Sequence, residues 1–188
     1  QIACGTCSYC RSGHYNMCPD VKFPSVPPYD GMLRDYVAIP AHLAYRLPDN
    51  VSSLEGALIE PLAVGLSAAE RGEVALGQNV VILGAGCIGL VTMMACKARG
   101  AGKVIVCDLF DKRLDKALEL GADVVIKQHV NRETDKYNMQ GTTSTTALCM
   151  LFHALQAALV EETDYHAEQF ALIHPGGAVG ERLNNKAL

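Results

Sequence analysis

Between residues 79 and 127 the chain repeats one alternation: a β-branched apolar run, a helix-forming stretch closed by glycine, then another apolar run. Asn79-Val-Val-Ile-Leu83, Lys103-Val-Ile-Val-Cys-Asp108 and Asp123-Val-Val-Ile-Lys127 read as three strands. Leu90 to Arg99 and Asp111 to Leu120 read as helices, stopped by Gly100 and Gly102 and by Gly121. Strands separated by single helices at this spacing call for right-handed crossovers and a parallel sheet. The Leu90–Arg99 stretch is apolar nearly all round, so the reading buries it.

The first strand runs directly into Gly84-Ala-Gly-Cys-Ile-Gly89, a G-x-G-x-x-G pattern. Alone that pattern is weak, because glycine is common. Between a strand and a helix it has a physical meaning. Gly84 permits the tight turn, Gly86 admits a pyrophosphate to the backbone, and Gly89 lets the helix pack close to the strand. The helix N-terminus, with Cys87 and Ile88 in its first turn, offers free amides and a positive dipole end to phosphates. Asp108 ends the second strand nineteen residues after Gly89. An acidic residue about 20 positions on accepts hydrogen bonds from the adenosine ribose hydroxyls and repels a 2′-phosphate, which selects NAD over NADP. Lys112 and Arg113 follow closely. They read either as solvated helix charges or as cations that accommodate a 2′-phosphate, and Arg113 is counted among the cofactor-binding residues. A doubly wound domain without a nucleotide is the bland alternative.

The N-terminal eighteen residues pose a different problem. Cys4, Cys7, Cys10 and Cys18 are separated by two, two and seven residues. Four thiolates so close can close a tetrahedron around one Zn²⁺, which leaves no open position and makes the site structural. A lobe this small gains order from the metal rather than from burial. An iron–sulfur site, disulfides or uncoordinated thiols are the alternatives. His14 is a possible competing ligand that reads as a surface residue. A nucleic-acid zinc ribbon is disfavoured, because Arg11 is the sole Lys or Arg in residues 1–18. The other cysteines, Cys87, Cys96, Cys107 and Cys149, stand among apolar residues and read as small buried hydrophobes.

A net charge of −4 and a pI near 5.8 give no long-range attraction for phosphate backbones, so nucleic acid is not an expected partner. The reading finds no signal peptide and no apolar stretch long enough to span a bilayer, and so expects a cytoplasmic protein without a membrane partner. Gln1 stands where Met is expected, which reads as a truncated start. Tyr36-Val37-Ala38-Ile39 is a short strand candidate. Ser52 or Ser53 starts a helical region that continues from Ala57 to Arg71, with an interruption or kink expected at Pro61. Beyond Gln128, Ala147 to Glu162 looks helical and Ala171 to Gly180 suggests a strand and turn.

The cysteine lobe Cys4 to Cys18 followed by the glycine turn resembles the zinc-containing medium-chain alcohol dehydrogenases. Pro27-Pro-Tyr-Asp-Gly31, Leu47-Pro-Asp-Asn-Val-Ser52 and Glu55-Gly-Ala-Leu-Ile-Glu-Pro-Leu-Ala-Val-Gly65 resemble their sorbitol/xylitol (L-iditol) dehydrogenase branch. The resemblance covers about residues 1–127. It implies an α/β fold: a Rossmann-like doubly wound parallel sheet in residues 63–188, with the zinc lobe (residues 1–20) inside a remnant of a GroES-like catalytic domain, residues 1–62. It implies NAD-dependent oxidation of a polyol secondary alcohol to a ketose, with a catalytic zinc as Lewis acid. Glu60 matches the family glutamate at or near that metal. The family's catalytic Cys, His and Glu lie upstream of Cys4, so they have no match here. Ser67 stands where the family has histidine, and Cys87 where it often has proline. The stretch after Gln128 does not align, and the final strands that complete the family sheet and mediate dimerisation have no counterpart, so the reading expects an exposed sheet edge. A homo-oligomer is implied for the full-length parent, and a catalytically inactive NAD- and zinc-binding fragment or interaction module is the alternative.

Overall fold

The computed structural model describes residues 1–185 of the chain. Contacts divide it into two units, Gln1–Ser52 and a second that begins at Ser53.

The first unit is nearly without a core. Among its residues only Cys18 is buried. Its regular structure is one helical turn, α1 (Ser8–Arg11), and two 3₁₀ turns, Tyr15–Met17 and Ala41–Leu43. Ile2 and Lys22 exchange backbone hydrogen bonds of 2.8 Å in an antiparallel bridge that ties the ends of the cysteine lobe together. The strand expected at Tyr36–Ile39 does not form. A strand is stable only when its ladder is paired, and this segment is irregular, with Tyr36 92% exposed.

The second unit opens with α2 (Ser53–Ala57) and α3 (Ile59–Arg71), separated at Leu58. Pro61 explains the break. It has no N–H to give to the carbonyl four residues back, yet it fits the first turn of a new helix, where amides have no helical partner. Next come β1 (Val80–Leu83), α4 (Cys87–Ala98), β2 (Val104–Asp108), α5 (Asp111–Glu119) and β3 (Val124–Lys127). The strands form a parallel sheet in the order β1-β2-β3, with Val80 opposite Val104 and Val106 opposite Val125. The expected alternation is thus present, with each helix carrying the chain back to start the next parallel strand.

The core lies under β2. Met93, Val104, Val106 and Ala117 are fully buried, and Cys96 packs with them. Each such side chain of Val or Met size contributes about 1.5–3 kcal/mol by leaving water. Burial is incomplete on α4, where Ile88 and Met94 stay exposed. The expectation of four buried spectator cysteines holds for Cys96 and Cys107, whose thiols burial pushes upward, whereas Cys87 and Cys149 are exposed. Helix α3 crosses α4 at Gly65: a Cβ there would lie 2.8 Å from the backbone of Val91 and Thr92, so only glycine permits this approach. Among the described residues β1 pairs on one side only, which leaves the expected open edge.

After β3 the chain is helical: α6 (Thr143–Glu162), α7 (Ala167–Ile173) and α8 (Gly177–Asn184). The strand and turn expected at Ala171–Gly180 are replaced by the end of α7, a break at Pro175-Gly176 and the start of α8. Gln169 reaches back to the His166 amide at 2.8 Å and fixes the start of α7 locally, and no strand lies beside this segment to recruit it into the sheet. Helix α6 also corrects the expectation that no apolar stretch is long enough to cross a bilayer. It has 20 residues and a mean hydropathy of 1.3, and it meets that criterion by length and composition. A start at Ala147, as the apolar pattern suggests, leaves out the first turn of the helix, Thr143 to Thr146, where Thr145 and Thr146 also turn their hydroxyls onto the carbonyls of Gly141 and Thr142, at 2.6 and 3.0 Å. Glu133 caps that start, its carboxylate accepting from the amides of Thr142 and Ser144 at 2.8 and 3.2 Å.

Candidate functional site

The four lobe cysteines come together. Their ligand atoms all lie within 4.8 Å of one another, and Cys4 Sγ is 3.9 Å from Cys10 Sγ. A tetrahedral zinc with Zn–S bonds of about 2.3 Å sets sulfur–sulfur edges near ~3.8 Å, so the cluster fits one ion with little movement. The backbone prepares the sulfurs for negative charge. Thr6 and Cys7 donate their amides to Cys4 Sγ at 3.4 and 3.3 Å, Cys10 donates to Cys7 Sγ at 3.4 Å, and Cys4 donates to Cys18 Sγ at 3.4 Å. The Thr6 hydroxyl and the amides of Thr6 and Cys7 lower the Cys4 thiol to about 6. Burial, with three thiols crowded beside it, pushes Cys10 up to about 12. Among the described residues this is the one group of three or more potential ligands. His14 stays outside it, exposed, with Nδ1 3.1 Å from Ser12 Oγ.

The glycine turn joins β1 to α4. Gly84 has φ of 101°, in the left-handed region, and a Cβ on Gly89 would collide with the Gly84 carbonyl oxygen. The turn is therefore closed by glycine at both ends. A Cβ on Gly86 would meet nothing within 4 Å, so the space over it is open. Gly86 is the N-cap of α4, with Cys87, Ile88 and Gly89 as its first turn. Their amides have no partner within the helix. A groove of about 820 Å³ runs along the open edge of β1, with Gly86, Cys87, Ile88 and Gly89 in its lining. Open space over Gly86 beside a 12-residue helix N-terminus fits a dinucleotide pyrophosphate.

Asp108 lies at the C-terminal end of β2 and is only 7% exposed. One carboxylate oxygen accepts from the Ala85 amide inside the glycine turn at 2.7 Å, and the other from the Phe110 amide at 2.9 Å. Burial acts to raise this acid. The two amides and the Arg113 guanidinium, 3.7 Å from Oδ2, outweigh it and hold the group below the usual carboxylate range. Asp108 also lines a cavity of about 200 Å³, together with Leu83, Gly84, Phe110, Arg113 and Leu148.

The structure adds two features that sequence reasoning did not single out. The Ala85–Asp108 bond locks the glycine turn to β2, and no spacing rule announces it. Phe110 sits beneath Arg113, whose Cζ is 4.9 Å from the ring centroid. A signal for it existed: Phe110 occupies the N-cap of α5, where a small polar residue is favoured.

Glu60 lies in the first turn of α3 and is exposed, as is Ser67 about two turns further on. Glu60 joins no group of three or more potential metal ligands among the described residues.

Residues 1–49 match the alcohol dehydrogenase GroES-like domain and residues 87–152 the zinc-binding dehydrogenase family. The chain is 51% identical over 126 residues to the zinc-type alcohol dehydrogenase-like protein YdjJ of Escherichia coli strain K12, covering 66% of this chain and 36% of that protein. It is 48% identical over 130 residues to the L-idonate 5-dehydrogenase of Vitis vinifera, covering 69% of this chain and 36% of that one. It is 50% identical over 119 residues to the sorbitol dehydrogenase of Homo sapiens, covering 63% and 33%. The chain thus spans about a third of the length of the curated relatives it matches. A crystal structure of an Escherichia coli oxidoreductase of unknown specificity superposes with a TM-score of 0.64 at 50% identity, covering 67% of this chain and 37% of that chain. A short chain alcohol dehydrogenase of Escherichia coli, complexed with cofactor NADH, does so at 0.63 and 33% identity, covering 67% and 37%. With its cysteine lobe, glycine turn and parallel sheet, the chain belongs to the zinc-containing medium-chain alcohol dehydrogenases, in their sorbitol dehydrogenase-like branch.

Proposed function

We propose that the full-length parent of this chain oxidises a secondary alcohol of a polyol to a ketose. NAD would accept the hydride, and zinc would supply Lewis-acid polarisation of the substrate hydroxyl. The observation that carries this reading is the buried Asp108 carboxylate. It is fixed by two backbone amides at the end of β2, where it lines a small cavity. Two ribose hydroxyls donate to such a carboxylate; a 2′-phosphate in their place is repelled. Open space over Gly86 and the first-turn amides of Cys87, Ile88 and Gly89 suit the pyrophosphate, between the turn set by Gly84 and the helix. Arg113 lies at the adenosine end. Cys4, Cys7, Cys10 and Cys18 would hold a structural zinc. Glu60 is the residue of this chain assigned to the catalytic metal. The eight free cysteines suit a reducing, cytoplasmic setting, and a homo-oligomer is proposed for the whole protein. Relatives named for sorbitol and L-idonate support a polyol-type substrate.

A second reading, an NAD- and zinc-binding chain without catalysis, is favoured by two observations. Glu60 lacks companion ligands, and Ser67 replaces the histidine expected by resemblance. One experiment separates the two. Zinc-loaded protein is titrated with NAD and then given sorbitol, xylitol or L-idonate while NADH absorbance is followed. NADH formation with any of them supports the first reading. NAD binding without NADH formation supports the second, and absence of NAD binding contradicts both.

A further inference from the structure

Arg113 is badly placed for the helix it belongs to. It is the third residue of α5, where the positive end of the helix dipole disfavours a cation. Two contacts hold it there. Its Nη1 is 3.7 Å from Asp108 Oδ2, and its Cζ lies 4.9 Å from the centroid of the Phe110 ring. The Phe110 ring is half exposed, at 56%, so burial does not account for its position. Phe110 also sits where an N-cap side chain would normally accept an amide hydrogen bond, and it makes no such bond. Its backbone is a separate matter. The Phe110 amide donates to Asp108 Oδ1 and its carbonyl accepts from Arg113 and Leu114, whichever side chain it carries. What the ring itself does is support the guanidinium. Both side chains line the small cavity that also contains Asp108.

We propose that Phe110 is a positioning residue that holds the Arg113 guanidinium as a flat platform for the purine ring of the cofactor. The proposal rests on the reading of this half of the chain as a dinucleotide site. A guanidinium is planar and stacks on aromatic faces. Free in solvent it samples many orientations; backed by the ring and drawn toward Asp108, it presents one face. The Asp108 carboxylate beside it disfavours a phosphate at the same place. The ligand class is therefore an adenine nucleotide with free ribose hydroxyls. An exposed cation–π contact changes affinity by roughly two- to fivefold, and that is the size of effect Phe110 is assigned.

The test is a double-mutant cycle on the zinc-loaded chain, with ADP-ribose and 2′-phospho-ADP-ribose as probes and calorimetry as the readout. Phe110→Ala should weaken ADP-ribose binding by roughly two- to fivefold, and Phe110→Tyr should restore it. In an Arg113→Ala background the Phe110→Ala change should have no further effect, because the ring acts through the guanidinium. Additive losses would overturn the proposal and make Phe110 an independent contact or a structural residue. A larger loss for the 2′-phosphorylated probe would also overturn it, by making Arg113 a phosphate ligand. If wild-type protein binds neither probe, the dinucleotide reading itself fails; if it binds ADP-ribose and Phe110→Ala binds it equally well, only the role of Phe110 fails.

Discussion

The cysteine lobe and the β1–β3 segment are ordered by opposite means. In residues 1–22 a single residue, Cys18, is buried, and Tyr15 and Met17 stand exposed at 59% and 56%. The lobe is held by N–H···S bonds, one antiparallel bridge and four converging thiols. In residues 80–127 the reverse holds. Met93, Val104, Val106 and Ala117 are sealed from water, and the turn that faces a cofactor is tied to that core through Asp108. One region therefore has little but its converging thiols to order it, and the other has apolar volume. On the proposed function the lobe would be a metal-stapled structural element and the sheet a support for a binding surface.

Zinc removal should break this contrast most strongly. Structural zinc contributes on the order of 10–16 kcal/mol in small zinc folds. Chelation, or Cys10→Ser, should abolish hydrogen-exchange protection in residues 1–22 and leave it unchanged in residues 80–127. Equal loss in both regions would mean that the metal holds more than the lobe.

Core truncation should act in the opposite sense. Met93→Ala should cost about 2–5 kcal/mol through lost burial and a cavity, read as a drop in urea midpoint, with zinc content unchanged. A drop below ~1 kcal/mol would contradict the assignment of Met93 to a rigid core.

Asp108→Asn is expected to cost about 1–3 kcal/mol, because two buried amides then compete for one acceptor oxygen. The wild-type acid is held below its ordinary value. Its contribution is therefore fully present above the unfolded carboxylate value of about 3.9 and disappears as pH falls through the lower folded value. The gap in urea midpoint between wild type and variant should close in that acid window. A gap independent of pH would show that charge plays no part in the tie. The smallest effect belongs to Met17→Ala, an exposed lobe position, which should stay within ~0.5 kcal/mol.

What the sequence made legible follows the same division. The strands and helices of residues 79–127 were readable because β-branched runs and glycine stops are local signals, and the interruption near Pro61 followed from one missing N–H. Tyr36–Ile39 and Ala171–Gly180 look strand-like in sequence, but such a run says nothing of whether a partner strand lies beside it. The first turn of α6 is hidden because the Glu133 carboxylate that caps it lies nine and eleven residues before Thr142 and Ser144. At the site, cysteine spacing pointed to a cluster and glycine spacing to a turn. The Asp108–Ala85 tie and the Phe110–Arg113 contact depend on how two loops meet, and no spacing encodes that.

The most direct test is the zinc content of the purified chain, by elemental analysis, beside that of Cys10→Ser and Glu60→Gln. The account predicts one zinc per chain in wild type and in Glu60→Gln, and none in Cys10→Ser, since the lobe holds the one cluster of potential ligands among the described residues. Two zinc ions per chain, or one that survives Cys10→Ser, would contradict it.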